Sequence, residues 1–228
     1  MAAKKETAKV AAEIKNLNVQ RIKVKVVGDT PLIMHKWSEK AKKEILDKQM
    51  GVTKTKAREL KNPVRDFVTS MYWITPEPKL SDDATPEEWM DAFNEAIEKG
   101  ARFGFPATAF KQSANASAYR LGWFDNQMGL RSSWFIEPSQ GDLVEVFTDQ
   151  PPVMREDMVK VGMGTADIRY RGELRNWYAY LNIQVLANGP ISVEQIVNNI
   201  NAGGFCCGVG EWRTEKDGIS GKYHVEAV

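Results

Sequence analysis

A glycine-rich segment near the C-terminus holds the residue types of this chain best suited to binding chemistry. Six glycines fall between Gly203 and Gly221. Glycine permits positive φ and lets a phosphate approach main-chain N–H groups closely. The glycines expected to face such a ligand are Gly203, Gly204, Gly208 and Gly210. The side chains expected to add charge or a stacking surface are Trp212, Arg213, Lys216 and Lys222. The alternative is a glycine-rich hairpin that packs tightly on the core.

A second stretch, residues 168–171, alternates cations with apolar and aromatic residues. On a strand, Arg169 and Arg171 share one face, and Arg175 follows shortly after. Two arginines on an open sheet face are spaced to hold consecutive phosphates. The alternative is an ordinary strand with one solvated side.

A third stretch, His35-Lys36-Trp37, follows a predicted first strand. Lys36 lies near a helix start, where the helix dipole disfavours a cation, so a phosphate bound there would account for it. The alternative is a surface lysine beside a core tryptophan. Lys111 and Arg120, on a later alanine-rich helix, have the same two interpretations.

Residue patterns typical of catalysis are missing from the sequence. The two histidines, His35 and His224, lie far apart, and neither has zinc-site spacing with the adjacent Cys206 and Cys207. The chain has no Gly-x-Ser-x-Gly elbow and no P-loop. We therefore expect no enzyme activity, no metal and no cofactor.

Composition narrows the class of protein. The 228 residues carry 31 basic and 30 acidic side chains, a balance that argues against coating duplex DNA by bulk charge. Two neighbouring cysteines cannot form a disulfide framework, which favours a reducing compartment. No stretch has the apolar length of a membrane span or the pattern of a secretory signal. These features predict a cytoplasmic location and no membrane partner.

Alternation and capping signals give an outline of the fold. Residues 21–27 alternate as a strand, Ser38 can cap a helix, and capping boxes begin at Thr85 and Ser192. Pro106 opens the alanine-rich helix, and Gly203-Gly204 is expected to end the helix that starts after Ser192. Two short strands are expected to flank Asp217-Gly218. Further strands are predicted at about 143–147, 166–171 and 177–186. This order predicts an α+β, ferredoxin-like (RRM-like) split βαβ core with a large helical insertion after the first strand.

The predicted domain organisation is simple. Residues 1–20 form a flexible basic arm, and residues 21–228 form one domain in which 51–140 is the helical and loop insertion. Within it, residues 51–66 are basic and poor in large apolar groups, which predicts an exposed stretch.

Three motifs occur in an order that resembles the RAMP superfamily, the RNA-binding backbone proteins of CRISPR surveillance complexes. They are the stretch from Asp29 to His35 after the first strand, the helix opening from Gly104 to Lys111, and the C-terminal glycine-rich loop. The chain also resembles bacteriophage and prophage proteins with the same "Pro-Leu-Ile-Met-His" start and a "Gly-x-Gly-x-Trp-Arg" ending. The resemblance implies a modified RRM-like core that binds single-stranded nucleic acid and polymerises along it, mainly through Lys36, Lys111, Arg213 and the loop from Gly203 to Gly210.

Three functional hypotheses follow. The leading one is a non-catalytic, phage-encoded protein that binds single-stranded RNA or DNA and assembles along the strand as a homo-oligomer or filament. The second is a structural or assembly protein of a virus particle. The third is a metal-independent RNA-processing endonuclease that uses His35, since some members of the resembled superfamily cleave RNA with a histidine.

Overall fold

The computed structural model describes residues 16–37, 39–52, 60–161 and 164–226. Three predictions fall wholly or partly outside these residues: the arm at 1–20 as far as residue 15, the cap at Ser38, and residues 53–59 of the basic stretch.

The described residues form both strands and helices, with most of the helices before Trp134 and most of the strands from Trp134 onward. The strands are β1 (Val19–Gly28), β2 (Leu32–Ile33), β3 (Phe103–Pro106), β4 (Trp134–Glu137), β5 (Leu143–Thr148), β6 (Val153–Val161), β7 (Thr165–Leu174), β8 (Trp177–Leu186) and β9 (Tyr223–Glu226). The helices are α1 (Glu39–Gln49), α2 (Pro63–Thr69), α3 (Pro86–Glu98), α4 (Ala107–Arg120), α5 (Gln127–Ser132) and α6 (Val193–Cys206), followed by a 3₁₀ turn (Thr214–Lys216).

The central sheet is antiparallel, with the strand order β3-β5-β8-β1-β9, and β4 pairs with the end of β8 beyond β5. The second sheet is smaller and has the order β2-β7-β6. Helices and antiparallel sheets together confirm the predicted α+β class. The segment 51–140 supplies β3 and β4 to the central sheet and α4 to its helical layer.

Alternation along β8 places its apolar side chains on one face of the central sheet. Trp177, Ala179, Leu181, Ile183 and Val185 are buried there. In β1, Val24 and Val26 lie opposite Leu181 and Ala179 and join the same core. Because strand side chains alternate between faces, this period fixes the register of the pair.

The opposite face of the central sheet carries aromatic and basic side chains. The rings of Phe147 and Tyr178 stack with centroids 5.1 Å apart. Lys23 Nζ lies 4.1 Å from the centroid of the Tyr180 ring, a cation–π contact.

Helices α4 and α6 cover the apolar face and pack closely on each other. A Cβ atom at Gly203 would lie 2.8 Å from the backbone nitrogen of Ala114, and one at Gly204 would overlap the carbonyl oxygen of Tyr223. The prediction that Gly203-Gly204 ends the helix was wrong, because α6 runs on to Cys206. These glycines are buried inside α6, where the missing side chains allow α4 and β9 to approach.

The local capping signals were read correctly. Reciprocal side-chain hydrogen bonds form capping boxes at Thr85–Glu88 and Ser192–Gln195. Pro106 stands at the N-cap of α4. The two strands expected beside Asp217-Gly218 are reduced to β9 after the turn and a single bridge between Arg213 and Ser220. Among the residues described, no helix has the length and apolar character needed to cross a membrane.

Candidate functional site

The first and third sequence motifs are joined directly by backbone hydrogen bonds. The amide of Glu211 donates to the carbonyl of Ile33 at 3.0 Å, and the amide of Gly221 donates to that of Pro31 at 2.8 Å. Gly210 has φ +83°, and a Cβ atom there would lie 2.6 Å from the Ile33 carbonyl oxygen. The loop after α6 therefore requires glycine in order to pack against β2.

This packing changes the interpretation of the glycine-rich segment. The amides of Gly208 and Val209 donate to the carbonyls of Gly203 and Gly221 at 2.9 Å each, and Glu211 donates to Ile33. These three N–H groups are occupied inside the protein, so the phosphate cradle expected from the glycines is not formed by them. The alternative interpretation, a tightly packed glycine-rich loop, describes this part of the chain.

A cleft of about 280 Å³ lies between this loop, the residue after Met34 and the first half of α4. Its lining includes His35, Gln112, Gly210, Glu211 and Arg213. We call it the central cleft. It brings one residue or more from each of the three motifs to a single surface.

His35 lies at the polar centre of this cleft. Its Nδ1 is 3.2 Å from Glu211 Oε1 and 3.4 Å from Arg171 Nη2. When protonated, Nδ1 donates to the glutamate, and when bare it accepts from the arginine. The hydrogen bond from His35, with the nearby charges of Arg171 and Arg213, holds the pKa of the Glu211 carboxyl below its ordinary value although burial opposes this. Both arrangements use Nδ1, so Nε2 is the ring nitrogen of His35 that these two contacts leave unused.

Arg171 does not lie on an open sheet face. Its side chain is only 4% exposed, and Nη1 donates to the equally buried Asp157 at 3.1 Å. Arg155 bridges Asp157 and Glu173, and Arg175 donates to Glu173 at 2.7 Å. Arg169 and Arg171 therefore do not form the expected phosphate-binding pair. The Arg171 side chain is buried and contacts His35 from inside the protein.

Two arginines share one carboxylate on the wall of the central cleft. Arg120 Nη2 donates to Glu215 Oε1 at 2.6 Å, and Arg213 Nε donates to Oε2 at 3.0 Å. Arg120 Nη1 also lies 3.1 Å from Cys207 Sγ. Partial burial opposes ionisation of Glu215, but both guanidinium groups outweigh it and hold the pKa of that carboxyl below its ordinary value.

A second depression, the Trp37 groove, adjoins the central cleft and measures about 250 Å³. His35 lines both, and Lys36, Trp37, Arg169 and Tyr170 line the groove. Trp37 is 62% exposed, so the alternative interpretation of this residue as a core tryptophan does not hold. Lys36 Nζ contacts Glu77 at 2.6 Å, and Arg169 Nε contacts Asp167 at 2.7 Å.

A third depression, the Lys111 groove, runs along the exposed side of α4 and measures about 710 Å³. It shares Gln112 with the central cleft and is lined further by Lys111, Tyr119, Arg120 and Arg131. Lys111 Nζ donates to the Arg131 carbonyl at 2.7 Å and lies 4.1 Å from the Phe135 ring centroid. Desolvation by these neighbours lowers the pKa of Lys111.

The three depressions adjoin through shared lining residues, and we call them together the composite groove. Sequence-predicted residues that line it are Lys36, Trp37, Lys111, Arg120, Arg169, Gly208, Gly210 and Arg213. Those that do not line it are Arg171, Arg175, Gly203, Gly204, Trp212, Lys216 and Lys222. Lys222 instead places Nζ 5.0 Å from the Phe205 ring centroid.

Sequence reasoning missed several residues of the composite groove. Glu211 lies inside the "Gly-x-Gly-x-Trp-Arg" motif, and its position two residues before Arg213 was a usable signal. Arg131 had no local signal, because only the packing of α5 beside α4 brings it to the groove, and Tyr119 lies on α4 itself but outside the motif at its start. Within the described ranges, no group of three or more His, Cys, Asp or Glu side chains is arranged to hold a metal ion.

No protein-family model matches the chain, and no curated protein matches it either.

Proposed function

We propose that the composite groove binds the backbone of a single-stranded nucleic acid without cleaving it. The observation that carries this proposal is the continuity of the groove: three short motifs, distant in sequence, line one surface with basic and aromatic side chains. A groove that follows a strand, with cations for phosphates and rings for bases, is the usual means of binding single strands.

The cations of the groove retain capacity for phosphate despite their internal partners. A guanidinium group has five N–H donors, and the internal contacts of Arg120, Arg169 and Arg213 use only some of them. Bidentate contacts between arginine and phosphate oxygens remain possible beside a shared carboxylate. Carboxylates such as Glu215 hold the arginine side chains in place before the ligand arrives.

Exposed rings stand in both outer parts of the groove. Trp37 is 62% exposed in the Trp37 groove, and Tyr119 is 50% exposed in the Lys111 groove. Stacking of a base on such a ring tolerates any sequence. This supports binding that depends weakly on base identity.

The strand order offers support for the RAMP-like, ferredoxin-like core. The neighbours β9-β1-β8-β4 are all antiparallel, with α4 between β1 and β4 in the chain and α6 between β8 and β9. A split βαβ fold has this order when β2, β3, β5–β7 and the remaining helices are treated as additions. We propose that the chain is built on such a core.

Assembly along the strand is the second part of the proposal. One face of the β6–β7 pair exposes apolar side chains, which are Met154, Met158 and Ile168. Met158 and Ile168 lie opposite each other in the register. Apolar patches of this kind suit contact with a second copy of the chain. We propose homo-oligomers on the bound strand, in the cytoplasm of a host cell that expresses a phage-encoded protein.

Fluorescence anisotropy with labelled single-stranded RNA and DNA at two salt concentrations tests the binding. We expect affinity that falls steeply with salt, because phosphate contacts release counterions.

Arg131→Ala and Arg213→Ala should each weaken binding to all sequences and lower the salt slope by about 1. Lys99→Ala, a change at the exposed residue that follows α3, lies outside the groove and is the matched control. No binding at micromolar protein and low salt would contradict the proposal, and oligomers without nucleic acid would favour a virus-assembly protein.

One observation favours a second candidate function, metal-independent RNA processing. Glu211 and Arg171 flank Nδ1 of His35, which orients the ring as a general base would require. The test compares RNA with its 2′-deoxy counterpart as substrate. If RNA alone is cleaved, His35→Ala should abolish cleavage and Glu211→Gln should slow it; cleavage unchanged by His35→Ala would exclude this role.

A further inference from the structure

Strand β6 forms an edge of the second sheet. Strand β7 lies on one side of it, and the order β2-β7-β6 places no described strand on the other side. Among the described residues, the main chain of Val153–Val161 makes no backbone–backbone hydrogen bond beyond its pairing with β7. An edge of this kind presents unpaired N–H and C=O groups. The outer edge of β6 is therefore able to pair with another extended segment.

Two features that protect many sheet edges, a bulge and a proline, are missing from β6. All nine of its residues pair with β7 in one constant register, and none of them is proline. On the inner face, Arg155 donates to Glu173 at 3.0 Å, and Arg171 donates to Asp157 at 3.1 Å. These contacts hold β6 in place, so its outer edge is ordered before a partner arrives.

The exposed face of β6 is complementary in charge to a second copy of itself. The exposed residues of this face are Met154, Glu156, Met158 and Lys160. When two β6 strands pair antiparallel with Met158 at the centre, Glu156 of each copy lies opposite Lys160 of the other. An ion pair then forms on either side of the centre. Pairing centred on Glu156 would instead place two carboxylates opposite each other, which is unfavourable.

The same arrangement joins exposed apolar side chains into one row. Met158 lies opposite Ile168 of β7 and, at the centre of the pair, opposite Met158 of the second copy. In the single chain Met158 is 77% exposed and Ile168 is 41% exposed. Contact between two copies removes part of this apolar surface from water, which favours association.

We propose that two copies of this chain pair edge to edge through β6, antiparallel and centred on Met158. A two-fold contact uses the same surface on both copies and closes as a dimer. The inference rests on the assembly part of the proposed function and names its contact, so that assemblies on a strand are built from these dimers. Because the edge is short and exposed, the contact is weak, and a bound strand strengthens it by raising the effective concentration of the copies.

Disulfide trapping with Met158→Cys tests the geometry. The two introduced thiols face each other at the centre of the pair, at a separation that a disulfide can bridge. Oxidation should give a covalent dimer on a non-reducing gel, and more of it when a long oligothymidylate is present. Met154→Cys is the matched control on the same face, because its opposite position lies past the end of β6 in the other copy. That variant and wild type, which both keep Cys206 and Cys207, should give little dimer.

Charge reversal in the Met158→Cys protein tests the ion pairs. Lys160→Glu places like charges opposite each other on both sides of the centre and should lower the yield of trapped dimer about tenfold. Adding Glu156→Lys to it restores opposite charges and should recover the yield. Lys160→Glu is preferred as the single variant because Glu156 is also hydrogen-bonded to Tyr170 within its own chain.

The outcomes separate this inference from the proposed function. Trapping at Met158 with no binding of any oligonucleotide would overturn the proposed function and support the edge contact. Oligonucleotide binding with Met158→Cys trapped no better than Met154→Cys would overturn the edge contact alone. A yield in the double charge variant as low as in Lys160→Glu would also overturn it.

Discussion

Arg171 contacts His35 from inside the protein, so it supports the candidate site without lining the composite groove. Arg171 and Asp157 form a buried ion pair at 3.1 Å, and the other end of the Arg171 guanidinium faces His35. The sequence pattern showed Arg171 only as one of two cations on a strand. It could not show that β6 places Asp157 beside it, because this pairing depends on the register of two strands.

Asp157→Asn tests the weight of this buried pair. We expect a loss of about 3 kcal/mol in the free energy of unfolding, since the change leaves a buried guanidinium without full compensation. The matched control is Asp167→Asn, which breaks the more exposed contact with Arg169 and should cost about 1 kcal/mol or less. Urea unfolding followed by circular dichroism measures both. Equal losses in the two variants would contradict the account of Arg171 as a buried support.

The sequence located secondary-structure elements whose signals depend on nearby residues. It did not locate elements whose formation depends on partners far away in the chain. The capping boxes at Thr85 and Ser192 depend on residues three apart, so the sequence located both helix starts. Strands β2, β3, β4 and β6 were missed. In β6, Arg155, Glu156 and Asp157 obscure the alternation, and their placement depends on partners in β7 and on the buried ion pairs.

The end of α6 was mispredicted for a physical reason that can be tested. Glycine usually ends a helix, yet Gly203 continues α6 because a side chain there would meet the backbone of Ala114. Gly203→Ala should lower the free energy of unfolding by about 1–3 kcal/mol through overpacking, against its gain in helix propensity. Gly129→Ala in α5 is the control: a Cβ atom there meets nothing nearer than 3.5 Å, so stability should rise by up to about 1 kcal/mol. Thermal unfolding of both variants provides the measurement, and a stabilised Gly203→Ala would contradict the close packing of α4 and α6.

We expect the free energy of unfolding to fall at acid pH in part because Glu173, a residue of the second sheet, becomes protonated. Burial opposes ionisation of this side chain, but Arg175 and Arg155 outweigh it and lower its pKa below the ordinary 4.5. The unfolded chain therefore binds this proton more readily, so the stability that Glu173 contributes is present above about pH 4.5 and is lost as pH falls through the lower folded pKa. Urea midpoints between pH 7 and pH 3 should fall less steeply for Glu173→Gln than for wild type. Glu95→Gln, at a solvent-exposed pair with Lys99, should follow the wild-type curve.

For the whole molecule, overall charge does not show where basic side chains gather, whereas the three motifs contain residues that line one composite groove. The near balance of 31 basic and 30 acidic residues hides a local arrangement in which carboxylates pair with arginines inside the composite groove. The sequence anticipated that the motifs around His35, Lys111 and Arg213 belong together. It could not separate residues that line the groove from those used for packing, because that depends on which side of each element faces the core.

The central claim is that a single strand follows the composite groove and not another surface. The opposite face of the central sheet, with Phe147, Tyr178 and Tyr180, is the natural competitor, because it also combines rings with lysines. Photocrosslinking with 5-iodouridine-containing single strands, followed by mass spectrometry of the modified peptides, distinguishes the two. We predict crosslinks at Trp37 and Tyr119, lost on competition with unlabelled strand. Crosslinks confined to Tyr178 and Tyr180 would contradict the account.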